Sequence, residues 1–160
     1  SYSNVSFNPE LDDDTFRFEP PANATVTENE LSLGATHDSR AALEANATLS
    51  VPAPSLPPDF EFARGRRSSF NGTETVSVVY TNETARLTVS VYDFGRALGG
   101  NGSFNTTGEP VRLGERNGTY SRAGLYRSVS WSCEGRQYSV SASGLSKPFL
   151  VEVASSIECE

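Results

Sequence analysis

The stretch VSVVYTNETARLTVSVYD, residues 76–93, alternates apolar and polar residues on both sides of Asn82–Glu83. A period of two is typical of strands that bury one side, so the stretch predicts a β-hairpin. If Asn82 and Glu83 form a two-residue turn, the numbers of cross-strand partners sum to 165. The predicted pairs are Tyr80 with Ala85, Val78 with Leu87, and Val76 with Val89. All of these apolar residues then share one face, as a half-buried hairpin requires.

Length, charge and hydropathy exclude some classes of protein. The chain has 160 residues and a formal net charge of −7, and this length suffices for one domain with a hydrophobic core. Because a nucleic-acid binder needs a basic surface, we expect no nucleic acid among the partners. No apolar run reaches the length of a membrane span. The chain contains no methionine, so we expect that it does not begin at a translation start and carries no signal or anchor segment.

Acceptor sequences for N-linked sugars, Asn-x-Ser/Thr, are unusually frequent. Ser and Thr are 35 of 160 residues, so chance would place about two of the ten Asn residues in this context. Eight of the ten are in it: Asn4, Asn23, Asn46, Asn71, Asn82, Asn101, Asn105 and Asn117. Some of these acceptor sequences are explained by turns rich in Ser and Thr, in which Asn is also common. The excess predicts an N-glycosylated, extracellular or cell-surface protein, and a hairpin tip is a place where a glycan does not disturb the core.

The two cysteines, Cys133 and Cys159, fit the same compartment. An even number of cysteines in a secreted chain favours a disulfide, so we expect these two to be joined. A structural zinc site is excluded, because two cysteines and a single histidine, His37, are too few ligands.

The first half of the chain predicts short elements. Residues 1–33 contain two strand-like runs, SYSNVSF and TFRFEP, around an acidic turn, PELDDD. A short helix is expected at about residues 39–46, with Asp38 as its N-cap. The prolines of VPAPSLPPDFEF exclude helix and central strand, and predict a rigid extended connector into a strand near residues 60–62; a polyproline ligand for a partner is the other interpretation.

Two further stretches predict irregular structure. The arginines of ARGRRSSFNG, Arg64, Arg66 and Arg67, are either an anion-binding patch for lipid head groups or polysaccharide, or a solvated turn with acidic neighbours. The turn is the commoner structure for such a sequence. Residues 95–110, GRALGGNGSFNTTGEP, predict a long loop, since the glycines lack the strand-to-helix context of a phosphate-binding turn.

The second half predicts two more hairpins and a helix. Asn117–Gly118 is a strong turn signal between VRLGER and TYSRAG. The segments LYRSVSWSC and RQYSVSA flank Glu134–Gly135, and their partner numbers sum to 269, which places Trp131 opposite Tyr138 and Val129 opposite Val140. Ser146 and Pro148 predict the start of a helix over residues 147–157. The fold class is therefore α+β: a mainly antiparallel sheet with a short helix and a C-terminal helix packed on it.

The order of these pieces resembles a known family. LSVPAPSLPPDFEF, the hairpin of residues 76–93, and VSWSCEGRQYSVSASGLSKPFLVEVASSI resemble a prokaryotic extracytoplasmic domain of unknown function. In haloarchaeal lipoproteins, that domain follows a domain similar to lipoprotein carriers of the LolA/LppX type. NVSFNPELDDDTFRFEPPANATV resembles the last strands of such a carrier domain, so the resemblance covers about residues 4–158.

The resemblance implies an archaeal, halophilic cell-surface protein in two parts: carrier-like strands at residues 1–33 and a hairpin-plus-helix domain at residues 34–160. It implies no catalytic residues and no cofactor. The carrier-like half is absent apart from its last strands, so no lipid-holding half-barrel follows from it. The two cysteines are not part of the family pattern.

Two functions remain open at this point. His37 lies beside the predicted helix cap, no Ser has a GxSxG context, and no paired carboxylates are evident, so we expect no enzyme and no metal site. The first hypothesis is a glycosylated surface module that binds a lipid, a lipoprotein or a protein partner. The second is a structural subunit of a filament or surface layer, in which residues 1–30 complete a sheet in the next subunit. The position of residues 1–30 would distinguish them.

Overall fold

A computed structural model describes residues 31–32, 34–70, 73–93 and 107–159. The strands are β1 (Leu31–Ser32), β2 (Thr36–His37), β3 (Glu61–Phe70), β4 (Thr73–Thr81), β5 (Arg86–Tyr92), β6 (Glu109–Leu113), β7 (Arg116–Ala123), β8 (Tyr126–Cys133) and β9 (Arg136–Ser143). The helices are α1 (Arg40–Glu44) and α2 (Lys147–Ser156). The two strand-like runs and the acidic turn predicted within residues 1–30, and most of the predicted loop at 95–110, lie outside the described residues.

The strands form one antiparallel sheet, in the order β1-β3-β4-β5-β9-β8-β7-β6, and β2 also pairs with β3. Both helices and the segment between α1 and β3 pack on the same side, where the core lies. The fully buried core residues include Val76, Val78, Leu87, Val89, Val129 and Val140 from the sheet and Leu43, Leu150 and Val153 from the helices. This architecture confirms the predicted class, a mainly antiparallel sheet with two short helices.

The β4–β5 hairpin exists, but its predicted register is wrong by two residues. The observed pairs are Tyr80 with Leu87, Val78 with Val89, and Val76 with Val91, so that partner numbers sum to 167. A shift of two preserves the face of every side chain, because side chains alternate with a period of two. The buried face is therefore the predicted one, although each partner differs.

The register differs because Asn82 builds a longer loop. Its Oδ1 accepts hydrogen bonds from the backbone N–H groups of Thr84 (3.0 Å) and Ala85 (2.7 Å), and its own N–H donates to the carbonyl of Ala85 (3.1 Å). A two-residue turn of the predicted kind needs positive φ at both central positions. Among the described non-glycine residues only Glu134 has positive φ, so residues 82–85 form a four-residue loop without one.

The turn predicted at Asn117–Gly118 is wrong. These residues lie inside β7, and the β6–β7 turn is formed by Gly114 and Glu115, with Leu113 opposite Arg116. Gly114 has φ of 64°, the left-handed conformation that glycine adopts without strain. Gly118 has another role: a Cβ there would lie 2.8 Å from Leu113 Cδ1, so the fully buried leucine occupies that space.

The predicted register of the β8–β9 hairpin is confirmed. Trp131 lies opposite Tyr138 and Val129 opposite Val140, and the two aromatic rings stack with centroids 5.4 Å apart. Glu134 (φ 50°) and Gly135 (φ 75°) form the turn. Positive φ at both positions matches the right-handed twist of the strands.

Both helices are close to their predicted places. In α2, Ser146 is the N-cap and accepts from Phe149 N–H, Pro148 is in the first turn, and Ile157 is the C-cap, so the prediction of 147–157 is confirmed within one residue. The N-cap of α1 is Ser39, not Asp38: its side chain accepts from Ala42 N–H (3.2 Å). The helix is shorter than predicted, since it ends at Glu44.

The connector is the segment between α1 and β3, residues 45–60. It is extended and free of regular structure over residues 50–60, as its prolines predicted. Leu49 and Val51 are buried in the core, and Phe60 stacks on Phe149 of α2 with centroids 5.8 Å apart. A segment whose side chains are buried in its own domain is a rigid connector, which is the first of the two interpretations of this sequence.

The arginine-rich stretch is a strand, which corrects the predicted solvated turn. Arg64 and Arg66 alternate with Gly65 along β3 and pair with Val79 and Ser77 of β4. The acidic neighbour expected for the turn is present, because Arg67 forms an ion pair with Glu74 (3.0 Å). Gly65 faces α1, where a Cβ would lie 2.4 Å from Leu43 Cδ2. The glycine therefore allows the helix to approach the strand.

The other face of the sheet carries small hydroxyl side chains in cross-strand rows. One row runs Ser77, Ser90, Ser139, Ser130, Thr119 across five strands. Ser77 and Ser90 share a hydrogen bond of 2.8 Å, as do Ser121 and Ser128. These polar partners satisfy one another, and the sheet therefore has one apolar and one hydroxyl face.

Candidate functional site

A groove of about 720 Å³ lies on the core side of the sheet, where the connector passes between the two helices. It is lined by Arg40 and Glu44 of α1, residues 47–53 and Ser55 of the connector, and Tyr138, Ser156 and Glu158. Volumes of this size are typical of ligand sites in proteins. The groove is about half open to solvent.

Arg40 fixes one wall of the groove. Its guanidinium donates to the carbonyls of Val51 (2.6 Å) and Pro52 (3.0 Å), and its Nε binds Glu44 Oε1 at 2.7 Å. A fork of donors that joins a helix to two consecutive carbonyls holds the connector in one conformation. The same guanidinium reaches the hydroxyl of Tyr80 (3.4 Å). Burial raises the pKa of Tyr80 despite this positive neighbour, so the phenol is neutral at ordinary pH.

Glu74, in β4, holds the start of the connector on the sheet. This carboxylate is only 7% exposed and accepts from the N–H (2.9 Å) and hydroxyl (2.6 Å) of Thr48 and from Leu49 N–H (3.2 Å). Arg67 supplies two further donors at 3.0 Å. Burial by itself would raise the pKa of Glu74, but the hydrogen bonds from Thr48, Arg67 and Leu49 outweigh it and lower the pKa.

The opposite wall is tied to α2. Ser156 accepts a hydrogen bond from Ser55 N–H (2.9 Å), which joins the connector to the last residue of the helix. The lining carries one positive and two negative side chains, and the positive one, Arg40, is paired with Glu44. The net charge of the lining is therefore 1 − 2 = −1, and it is located at Glu158.

A second groove, of about 620 Å³, lies beside the β4–β5 loop and is lined by Asp59, Glu61, Thr81, Asn82, Glu83 and Thr84. All of these side chains are polar. The first groove is also lined mainly by charged and hydroxyl groups. Neither groove has the apolar walls with which an acyl chain is buried.

Three predicted sugar acceptors lie within the described ranges and five, Asn4, Asn23, Asn71, Asn101 and Asn105, do not. Asn46 is exposed after α1 and donates to the carbonyl of Ala42 (2.8 Å). Asn117 is exposed in β7 and accepts from Arg112 (2.7 Å). Asn82 lies in the β4–β5 loop and donates to Asp59 (2.7 Å). Occupancy of these sites remains a prediction.

Asn82 is expected to carry the highest glycan occupancy of the three. Its loop presents the whole acceptor sequence, and the Thr84 hydroxyl lies 3.3 Å from Asn82 Oδ1. By contrast, the Thr48 hydroxyl after Asn46 is held by Glu74, and Thr119 after Asn117 lies within the sheet. Glycopeptide mass spectrometry of the native protein measures the three occupancies. Equal or lower occupancy at Asn82 would contradict the argument from loop geometry.

The predicted disulfide is present. Cys133, at the end of β8, is bonded to Cys159, beyond the end of α2, with Cα atoms 6.0 Å apart. The described residues contain no other cysteine. Because α2 packs on β6, β8 and β9, the bond closes the far end of the helix onto the sheet.

The described part of the chain brings together no group of three or more His, Cys, Asp or Glu side chains suited to a metal ion. His37, the single histidine of the sequence, is in β2, paired with Gly65. It does not line either groove. Across the described helices, none is both long and apolar enough to span a membrane.

The sequence did not single out the residues that build the groove. Arg40 and Glu74 were not distinguished from other surface charges, although Glu74 interrupts the apolar side of β4, where its neighbours are Val76 and Val78. A charge on the buried face of a predicted strand is the signal that would have identified it. Arg40 carried no comparable signal, since it lies in the first turn of a short helix and binds carbonyls of residues 51 and 52.

No family model matches the chain, and no curated protein matches it. Among solved structures, the crystal structure of MucB in complex with MucA(peri) is similar, with 20% identity and a TM-score of 0.45. The match covers 71% of this chain and 38% of that chain, so this chain spans well under two thirds of its length. A similarity of this size assigns no function and no family, and the resemblance to the haloarchaeal domain stays a prediction.

Proposed function

We propose that the protein is a non-enzymatic, N-glycosylated module outside the cytoplasm that binds an extended segment of a protein partner in the groove between α1, the connector and α2. The observation that carries this proposal is the groove itself, which is half open to solvent and whose walls are fixed by Arg40, Glu74 and the Ser55–Ser156 hydrogen bond. A fixed wall lowers the ordering cost of binding.

A protein segment fits the groove better than the lipid or lipoprotein considered from the sequence. The lining offers hydroxyls at Ser50 and Ser55 beside the apolar surface of Ala53. Extended peptides use such a mixture, with polar groups for their backbone and small pockets for alternate side chains. Since Glu158 supplies the net negative charge, we expect a basic side chain of the partner near the end of α2.

We expect a side chain that fills the groove to weaken binding. Ala53 is exposed in the groove wall, so Ala53→Trp is expected to weaken binding of an extended peptide by at least about tenfold, which corresponds to about 1.4 kcal/mol. The probe is a linear peptide selected from a random display library on the intact protein, and calorimetry gives its affinity. Glu158→Lys is expected to weaken a selected basic peptide as well.

Leu125→Trp is the matched control, because Leu125 is 74% exposed in the β7–β8 turn, away from the groove. The control is expected to leave the affinity unchanged. If both tryptophan variants weaken binding equally, or neither does, the groove is not the binding site.

Assembly through strand pairing is the second candidate function. Of the two edges of the sheet, the β3 edge is better suited to pairing with an added strand than the β6 edge. Among the described residues, the outer edge of β3 is covered only by the two-residue strands β1 and β2, opposite residues 65–66 and 69–70. The other edge strand, β6, contains Pro110 and Arg112, which are typical devices against edge pairing.

An added strand from residues 1–30 of another copy would therefore pair with β3, near Phe62 and Arg64. Sedimentation of the intact protein over a hundredfold range of concentration tests this alternative. Oligomers that disappear when residues 1–20 are removed would support it, and a monomer at all concentrations would exclude it.

A further inference from the structure

The disulfide has an arginine against one of its two sulfur atoms. Arg116 Nη1 donates to Cys159 Sγ at 3.0 Å, and Nη2 donates to the carbonyl of Ser155 at 3.1 Å. The guanidinium also lies over the ring of Trp131, 5.7 Å from its centroid. Three separate contacts thus position one positive charge beside Cys159.

This arrangement makes the two sulfurs chemically unequal. When a thiolate attacks a disulfide, the sulfur that leaves must carry a negative charge, and the reaction is faster when that charge is stabilised. A fixed guanidinium stabilises a thiolate in the same way that cations activate reactive cysteines. Charged residues of both signs lie next to Cys133, where Glu134 follows it in the turn and Arg136 is its cross-strand partner. Cys159 also has an acidic neighbour in the chain, Glu158, so the contact between Arg116 and Cys159 Sγ is the observation that makes the two sulfurs unequal.

We propose that the Cys133–Cys159 bond is a directed thiol–disulfide exchange site, in which a dithiol reductant attacks Cys133 and Cys159 leaves as a thiolate held by Arg116. The reductant's first sulfur forms a mixed disulfide with Cys133 as the bond to Cys159 breaks. Its second thiolate then attacks that mixed disulfide and releases Cys133. The reductant becomes a disulfide, and the protein gains two thiols, so two electrons and two protons are transferred. This inference is independent of the groove and its ligand.

The fold supports such an exchange without unfolding. Both cysteines are half-buried, and Cys133 packs against the margin of the core, so neither residue is fully enclosed. Leu150, Val153, Ala154 and Ile157 hold α2 on the sheet, each at most 1% exposed. The apolar contacts of α2 therefore keep the helix on the sheet when the disulfide is reduced. The chemical class of partner is a dithiol oxidoreductase.

Reduction of the intact oxidised protein by dithiothreitol at pH 7 tests the role of Arg116. Arg116→Gln is expected to slow the appearance of thiols by about five- to tenfold, because the leaving thiolate loses its stabilising charge. Arg116→Lys keeps the positive charge, so its rate of reduction is expected to lie between those of Arg116→Gln and the unmodified protein. Arg122→Gln, in the same strand but exposed and bound to Gly124, is the matched control and is expected to react like the unmodified protein.

A merely structural role of Arg116 predicts the opposite sign. Loss of its contacts to Ser155 and Trp131 would loosen the end of α2, expose the bond and accelerate reduction. Faster or unchanged reduction of Arg116→Gln would therefore overturn the proposal. So would a larger slowing by Arg136→Gln than by Arg116→Gln, since Arg136 would then be the arginine that stabilises the leaving thiolate.

A monothiol locates the attacked sulfur directly. With limiting glutathione, mass spectrometry of the first mixed disulfide is expected to find the glutathione on Cys133, with Cys159 free. Glutathione on Cys159 would show that attack is directed to the other sulfur, and glutathione equally on both would show that it is not directed; either result would overturn the proposal.

Discussion

Replacing Glu74 by alanine is expected to lower the free energy of unfolding by about 3 kcal/mol, the lower part of the range for breaking a buried ion pair. We expect a value in the lower part of this range because the side chain of the partner, Arg67, is 40% exposed. Its guanidinium can be solvated by water when the carboxylate is lost. The backbone N–H of Leu49, in contrast, is buried and would have no acceptor. Urea denaturation of both proteins measures the difference.

Glu74→Gln tests how much of this stabilisation depends on charge. The amide keeps the volume and one acceptor oxygen but brings an NH₂ group close to the donors of Arg67 and Thr48, so we expect a loss of about 2 kcal/mol. Glu83→Ala is the control, since Glu83 is exposed in the β4–β5 loop, and a change within about 0.5 kcal/mol is expected. An equally small change in both Glu74 variants would show that Glu74 contributes little to holding the connector.

The pH dependence of the Glu74→Gln effect has a definite sign. The pKa of Glu74 in the folded protein is lowered from its ordinary value of 4.5. Such a group stabilises the folded state fully above its unfolded pKa, and the stabilisation is lost as pH falls through the folded pKa. The difference between the unmodified protein and Glu74→Gln is therefore expected to be constant at pH 6–8 and to shrink below about pH 4.5. A difference that grew on acidification would contradict the lowered pKa.

Patterns of alternation predicted strands well, because burial of one face is a local property of the sequence. Val76, Val78, Val89 and Val140 are all fully buried, as their spacing indicated. The alternation on both sides of Asn82–Glu83 placed the tip of the hairpin correctly but gave the wrong loop length. Loop length depended on hydrogen bonds that the Asn82 side chain accepts from the backbone N–H groups of Thr84 and Ala85, and such bonds favour a longer turn.

The misplaced turn at Asn117–Gly118 has a different cause. Asn-Gly and Gly-Glu both permit a tight turn, and a period-two pattern does not decide between them when the flanking residues are mostly polar. Burial of Leu113, which is 1% exposed, requires the space that Gly118 leaves in the neighbouring strand. Tertiary packing therefore selected the turn at Gly114, and the stronger local signal became part of a strand.

The groove could not be predicted, because its walls depend on contacts between distant residues. Ser55 binds Ser156 across 101 positions, and Thr48 binds Glu74 across 26. Individual polar residues in a connector give no period and no motif. The prolines of the connector, by contrast, indicated correctly that the segment is extended and free of regular structure.

The double variant Cys133→Ala/Cys159→Ala is expected to lose about 3 kcal/mol of unfolding free energy, the amount that chain entropy assigns to a loop of this length. The two positions are 26 residues apart. Because the constraint acts mainly on the unfolded chain, its removal allows a more expanded unfolded state. The denaturant dependence of the unfolding free energy is therefore expected to increase along with the loss of stability.

The variant is nevertheless expected to fold. Domains of this size are stable by about 5–15 kcal/mol, so a loss of about 3 kcal/mol leaves the native state populated. Hydrogen exchange distinguishes this outcome from local release of the helix. Protection of the amides of Leu150 and Val153 is expected to fall only by the global change in stability, because both side chains are fully buried on the sheet. Loss of protection in α2 alone would show that the disulfide, and not the apolar face, attaches the helix, and the exchange at Cys133 would then open the fold.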